Sequence, residues 1–240
     1  MIGLGKTTIA SILQEEFSLP VFYEEVNNNK FLPLFYSASE EEQERMRYPF
    51  LLQMNFLCSR FHAAKEALAS GKAILDRSIY EDRYFACKNH ELGRISDLEM
   101  QTYENIHHEM RDSLLKLLKK PDLMIYLKGS FDTCIKRIKN RGRSFELAPS
   151  LEEYYHFLWK DYDSWIFDNY KESPILVLAV EAQSSLCEHG FDGTGADACI
   201  DEQALLPVSY VIAVSATSAR KADEFDHYFI SSSQYFLMTA

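Results

Sequence analysis

The sequence contains no apolar run of the roughly 18 residues that a membrane-crossing helix needs, and no basic segment leading into an apolar one. Neither a membrane span nor secretion is expected. The five cysteines, Cys58, Cys87, Cys134, Cys187 and Cys199, are odd in number and scattered, with no C-x-x-C pair. That pattern speaks against a disulfide framework or a zinc site, and a reducing cytoplasm is the expected compartment. The histidines, among them His62, His107 and His108, stand at no ligand-like spacing from other metal-binding residues and are read as surface or core residues. Positive charge is also scarce. With 25 Lys and Arg against 36 Asp and Glu, a formal charge of −11 argues against a general nucleic-acid or anionic-membrane binder. There is no internal repeat and no low-complexity tract.

What is present is enough for a sizeable core: 240 residues, 47% of them hydrophobic. The acidity is uneven. Residues 181–240 carry nine acidic residues against only Arg220 and Lys221, a charge of −7, and turn toward Ser, Ala and other small residues. A boundary is therefore expected near residue 180, dividing a domain at 1–180 from a poorly ordered acidic extension at 181–240. Within that extension one strand, Val208–Val214, and a short helix around Arg220–Phe229 are expected.

Residues 1–180 alternate short apolar runs with helical periodicity, the pattern of an α/β domain built on a mostly parallel sheet. Helices are expected from about Thr7 to Phe17, Tyr48 to Leu68, Ser96 to Lys119, Phe131 to Asn140 and Pro149 to Asn169. Strands are expected at Val21–Glu24, Ala73–Asp76, Leu123–Leu127 and Ile175–Val180. Ser96-Asp-Leu-Glu99 has the form of a capping box.

Chemistry enters at Gly3-Leu4-Gly5-Lys6-Thr7-Thr8, the later part of a phosphate-binding loop. Gly3 and Gly5 let backbone approach a phosphate, Lys6 reaches the β/γ-phosphates, Thr7 can bind Mg²⁺, and the helix opening at Thr7 or Thr8 presents its positive end. In the full pattern, G-x-x-x-x-G-K-[ST], the first glycine falls one position before Met1, and the strand that normally feeds the loop does not precede it. Without such a central strand, its neighbours would lack ladder partners and expose edges.

Four further groups accompany the loop. Glu24 and Glu25 follow the first strand, where ligands of α/β sheets bind, and alternation lets only one of them face the site. Such a carboxylate can accept a proton from an attacking hydroxyl, or the two can be solvated acids. Asp76-Arg77-Ser78 ends the next strand; its acid can hold Mg²⁺ and its arginine can bind phosphate, or the two can form a local ion pair. Arg137 and Arg141 share a helix face ahead of Gly142 and Arg143, a cluster suited to triphosphate, with a solvated basic face as the alternative. Gln53 and Arg60, two turns apart on the long helix, together with Asp82, could read a nucleobase edge.

In this order the groups resemble the deoxyribonucleoside kinase family, particularly the bacterial deoxyadenosine/deoxyguanosine kinases. The landmarks are Phe22-Tyr-Glu-Glu-Val26, Phe31-Leu-Pro-Leu-Phe-Tyr36, Phe50-Leu-Leu-Gln53, Leu75-Asp-Arg-Ser-Ile-Tyr-Glu-Asp82 and Arg137-Ile-Lys-Asn-Arg-Gly-Arg143, covering residues 3 to about 180. The resemblance implies a P-loop kinase fold of three layers that transfers phosphate from ATP, with Mg²⁺, to the 5′-hydroxyl of a purine deoxynucleoside or deoxycytidine. It implies that Glu24 is the general base, that Arg77 lies near the 5′ end, and that Tyr36 and Glu153 hold the sugar 3′-hydroxyl. Gln53, Arg60 and Asp82 would meet the base, and Arg137, Arg141 and Arg143 would form a lid over the ATP phosphates. Glu153 is also placed as a capping residue for Ser150, and Tyr36 could be a core aromatic. A homodimer through the long helices is implied by analogy. Two rival readings remain open at this point: a nucleoside-monophosphate kinase, and an inactive or truncated kinase-like protein that binds only nucleotide or a partner subunit.

Overall fold

The computed structural model describes residues 2–26, 28–117, 120–180, 213–215 and 235–239, the last two segments as backbone strands. Nine α-helices and six strands are found among them: α1 Lys6–Phe17, β1 Val21–Phe22, α2 Phe31–Ser37, α3 Glu40–Met46, α4 Tyr48–Ser70, β2 Ala73–Leu75, α5 Ile79–Glu91, α6 Asp97–Leu117, β3 Leu123–Lys128, α7 Phe131–Arg141, α8 Leu151–Lys160, α9 Tyr162–Asn169, β4 Ile175–Ala179, β5 Ala213–Ser215 and β6 Tyr235–Thr239. They form a six-stranded sheet in the order β1-β2-β6-β3-β4-β5. All pairs are parallel except β4 with β5 at one edge. This is the expected α/β architecture, a parallel sheet flanked by helices.

The composition of the inner strands explains their position. Ala73, Ile74 and Leu75 are all buried, as are Met124 to Leu127. Strands covered on both faces read as continuous apolar runs, not alternating ones. The helices end where the sequence supplies a reason. Ser130 caps α7 by accepting from the Thr133 N–H at 3.2 Å, and Gly142 closes it at φ 70°. At α6 the capping box forms as expected, with Ser96 N–H donating to Glu99 at 2.8 Å. No described helix is long and apolar enough to cross a membrane.

Three features differ from expectation. Three helices, α2, α3 and α5, occupy stretches for which no helix is expected from sequence; α2 is started by Asn29, whose side-chain Oδ1 accepts from Phe31 N–H at 3.0 Å. The single helix expected from Pro149 to Asn169 is two, α8 and α9, broken at Asp161. Its carboxylate accepts from Lys88 at 2.7 Å, and its backbone N–H donates to the Trp159 carbonyl two residues back, so the i to i−4 ladder does not continue. Most consequential, the sheet is not confined to residues 1–180. β5 overlaps the expected strand at 208–214, and β6, for which no strand is expected, lies between β2 and β3 at the centre of the sheet. β2 and β3 therefore both have a ladder partner in β6. The helix expected around 220–229 lies outside the described residues.

Gly129, just after β3, fixes how closely the phosphate loop sits on the sheet. A Cβ there would lie 2.7 Å from Leu4 Cδ2 and 2.8 Å from the Val180 carbonyl oxygen. The Gly129→Ala variant is expected to lose about 1–3 kcal/mol of stability through this overpacking, as read by denaturant unfolding. Unfolding at the parental midpoint would show that the loop rests elsewhere.

Candidate functional site

The candidate residues converge on the edge of the sheet where β1, β2 and β3 finish. In parallel sheets this edge is where ligands bind. Gly3 and Gly5 adopt φ of 81° and 88°, and a Cβ on Gly3 would come within 2.9 Å of the Cys134 carbonyl oxygen. Both positions thus require glycine. Between them Leu4 is buried, and its carbonyl accepts from Arg137 Nη1 at 3.0 Å, which ties the loop to α7. No side chain caps α1 at Gly5, so the first N–H groups of that helix are left to face an anion. Lys6 is buried at the start of α1. Burial, reinforced by the nearby Arg77, holds its ammonium pKa down at about 8.

Thr7 and Asp76 meet, the hydroxyl donating to Asp76 Oδ2 at 2.8 Å. The other carboxylate oxygen, Asp76 Oδ1, is buried with no hydrogen-bond partner among the described residues. A buried carboxylate oxygen left this way is costly. A hydroxyl and a carboxylate, both hard oxygen donors, fit a small divalent cation such as Mg²⁺ that keeps several of its waters.

Glu24 lies two residues beyond the end of β1, which stops at Phe22 and not at Glu24 as expected. It turns inward while Glu25 is exposed, as alternation requires. One Glu24 oxygen is held by Arg60, from α4, and the other by Arg77 Nε at 3.2 Å. Burial alone would raise the Glu24 pKa, but Arg77 and Arg60 outweigh it and hold the carboxyl at about 2. Arg60 simultaneously pairs with Asp82, which is fully buried on α5. The arrangement is thus a chain of alternating charges, Asp82–Arg60–Glu24–Arg77, in place of the isolated Asp76–Arg77 ion pair weighed from sequence.

Gln53 is buried on α4, seven residues before Arg60, and its side-chain Oε1 has no hydrogen-bond partner among the described residues. Tyr36 packs in an aromatic cluster with Phe35, Phe145 and Tyr155. Burial, together with Tyr155, Tyr154 and Glu146, pushes its hydroxyl pKa well up. Glu153 is exposed on α8, and no hydrogen bond links it to Tyr36. It does not act as a capping-box partner either, since Ser150 is in the helical region and makes no side-chain cap.

The three arginines near Gly142 separate into two sets. Arg137 reaches the phosphate loop, whereas Arg141 and Arg143 both bind Glu146, Arg143 at 3.3 Å. Glu146 sits in a short 3₁₀ turn and is buried. It was not singled out from sequence, although its place three residues after Arg143 is the signal. Glu81 was missed in the same way. It is fully buried, pairs with Arg77 at 3.1 Å one helical turn away, and accepts from the Tyr162 hydroxyl. Arg77 lies in the turn just before α5 and Glu81 in its first turn, so the short step between them lets the two side chains meet.

Comparison with known proteins agrees with this geometry. Residues 1–190 match the family model described as deoxynucleoside kinase. The chain is 41% identical over 181 residues to a deoxyguanosine kinase of Lactobacillus acidophilus, covering 74% of this chain and 76% of that protein. A deoxyadenosine/deoxycytidine kinase of Bacillus subtilis is 33% identical over 182 residues, covering 75% of this chain and 79% of the relative. Among solved structures, deoxyadenosine kinase from M. mycoides with bound dATP superposes with a TM-score of 0.63 at 29% identity, over 75% of this chain and 88% of that one. A phosphate loop, a strand-end carboxylate held by two arginines and an arginine-rich helix end therefore occur here in a chain that belongs to the deoxynucleoside kinase family, enzymes that phosphorylate deoxynucleosides at the expense of ATP.

Proposed function

We propose that this kinase acts in the cytoplasm on a purine deoxynucleoside or deoxycytidine, and that Glu24 is the base that takes the 5′-hydroxyl proton. The observation that carries the reading is the position of Glu24: a carboxylate at the strand edge, clamped by Arg60 and Arg77, on the same edge as the Thr7–Asp76 pair. Phosphoryl transfer needs mainly positioning and neutralisation of spreading charge. Lys6, Arg137 and the N-terminus of α1 would bind the β- and γ-phosphates. Arg141 and Arg143 would join them by exchanging the Glu146 carboxylate for phosphate oxygens as the lid closes. A Mg²⁺ ion held by Thr7 and Asp76 would supply additional positive charge at the phosphates.

Clamped by two arginines, Glu24 is a weak base. The incoming nucleoside changes this if Arg60 turns toward the base with Asp82 and Gln53, leaving one Glu24 oxygen free for the hydroxyl. Arg77 would then keep the carboxylate oriented, itself anchored by Glu81 and, through it, Tyr162. Tyr36 would donate to the 3′-hydroxyl, and Glu153 would reach that hydroxyl in a closed state. The relatives named as deoxyguanosine, deoxyadenosine and deoxycytidine kinases support the substrate range. The division into a domain at 1–180 and an extension at 181–240 belongs to this proposal, with β5 and β6 as the parts of the extension that join the sheet. So does a homodimer through the long helices, by analogy with the family.

Three outcomes test the proposal. Glu24→Gln should lower kcat by about 10²- to 10⁴-fold with the fold retained, the scale of a lost general base, and near-normal turnover would remove Glu24 from that role. Replacing Arg60 and Asp82 together with Ala should reorder kcat/KM among the four deoxynucleosides and leave the KM for ATP within about threefold; an unchanged order would exclude them from base recognition. Lys6 supplies the third test. Its pKa of about 8 in the free protein should rise when triphosphate is bound, so binding at pH 9 should take up a proton. Titration calorimetry in two buffers of different ionisation enthalpy reads that proton directly, and identical heats would rule it out.

A further inference from the structure

The strand shared by β2 and β3 comes from the far end of the chain. β2 and β3 do not pair with each other; each pairs in parallel with β6. The register sets Leu237 beside Leu75 and Thr239 beside Tyr126, so β6 runs toward the edge where Asp76 follows β2 and Gly129 follows β3. The phosphate loop bridges that same edge, with Leu4 against Gly129 on one side and Thr7 bonded to Asp76 on the other. α1, which leaves the loop, packs on β6 as well as on β1 and β2.

A strand aimed at a glycine loop that opens a helix is the layout of a phosphate site. Here strand and loop come from opposite ends of the sequence.

We infer that Tyr235–Thr239 serves as the strand of the phosphate site, holding β2 and β3 at the spacing the loop spans, and that ATP binding by this chain depends on it. The inference rests on the kinase reading above for the identity of the ligand. Its physical basis is spacing. With β6 between them, β2 and β3 stand two interstrand steps apart, about 9.6 Å, and the loop is built to span that distance from Asp76 to Gly129. Without β6 the facing ladder groups of β2 and β3 lose their partners. Pairing them directly would close the gap by about 4.8 Å, and the loop could no longer engage both ends.

Hydrogen exchange on the intact chain tests this, with and without ATP and Mg²⁺. The amides of 235–239 should exchange at least roughly 10²-fold more slowly than in a free peptide of the same sequence, as expected for a strand paired on both sides. ATP should add protection at Gly5–Thr8. In the full-length Leu237→Pro variant, which removes a ladder donor from a central strand, that added protection should disappear and kcat/KM should fall by at least about tenfold. Free-peptide exchange rates at 235–239 in the intact chain would overturn the inference, whether or not the variant folds. So would unchanged ATP protection and turnover in Leu237→Pro. If 235–239 is protected and ATP binds but no deoxynucleoside is phosphorylated, the substrate reading fails and the strand assignment stands.

Discussion

The carboxylate of Glu24, divided between Arg60 and Arg77, joins three parts of the chain that have little else in common. The segment after β1 contributes the acid, α4 one arginine, and the turn from β2 into α5 the other. Each arginine is then committed to a second acid on α5, Asp82 or Glu81. Charges this deeply buried gain little net stability, because desolvation offsets most of their attraction. What they do fix is geometry. Removing one member leaves the next uncompensated, so the strand end, the long helix and α5 are held in a single relation. In the proposed reaction the nucleoside would enter that relation and displace one contact in it.

The same economy governs the phosphate side. Lys6 is buried between acids and Arg77, with a lowered pKa that a bound phosphate would restore. The loop around it is positioned from three directions: by Leu4 against Gly129, by Arg137 on the Leu4 carbonyl and by Thr7 on Asp76. All three anchors lie at strand or helix ends, so the loop inherits its shape from the sheet. A central strand from the other end of the chain makes the sheet, and with it the loop, dependent on long-range pairing, which is costly in loop closure and slow to form.

The architecture of residues 1–180 was legible because its signals are local. Apolar runs marked β2, β3 and β4, a capping box marked α6, and glycines marked the ends of α4 and α7. Most of the site was legible for the same reason, since Lys6, Thr7, Glu24, Asp76 and Arg77 sit at fixed offsets from those elements. The partners were harder to see. Glu81 and Glu146 look like ordinary surface acids until the fold shows what they neutralise. The break at Asp161 depends on Lys88, which is distant in sequence. β6 was invisible because a five-residue apolar run near a chain end carries no sign of where it pairs. The strand order, which brings the two ends of the sequence together, supplies that information.

The pairing of Arg141 and Arg143 with Glu146 bears on how the enzyme should respond to ionic strength. Two guanidiniums that already share a carboxylate do not hold mobile counterions as free ones do. When phosphate replaces Glu146, one anion is exchanged for another, and few ions are released to bulk. If these arginines close over ATP as proposed, they would gain selectivity for triphosphate from geometry and charge density, and closure should be less sensitive to salt than a count of arginines implies.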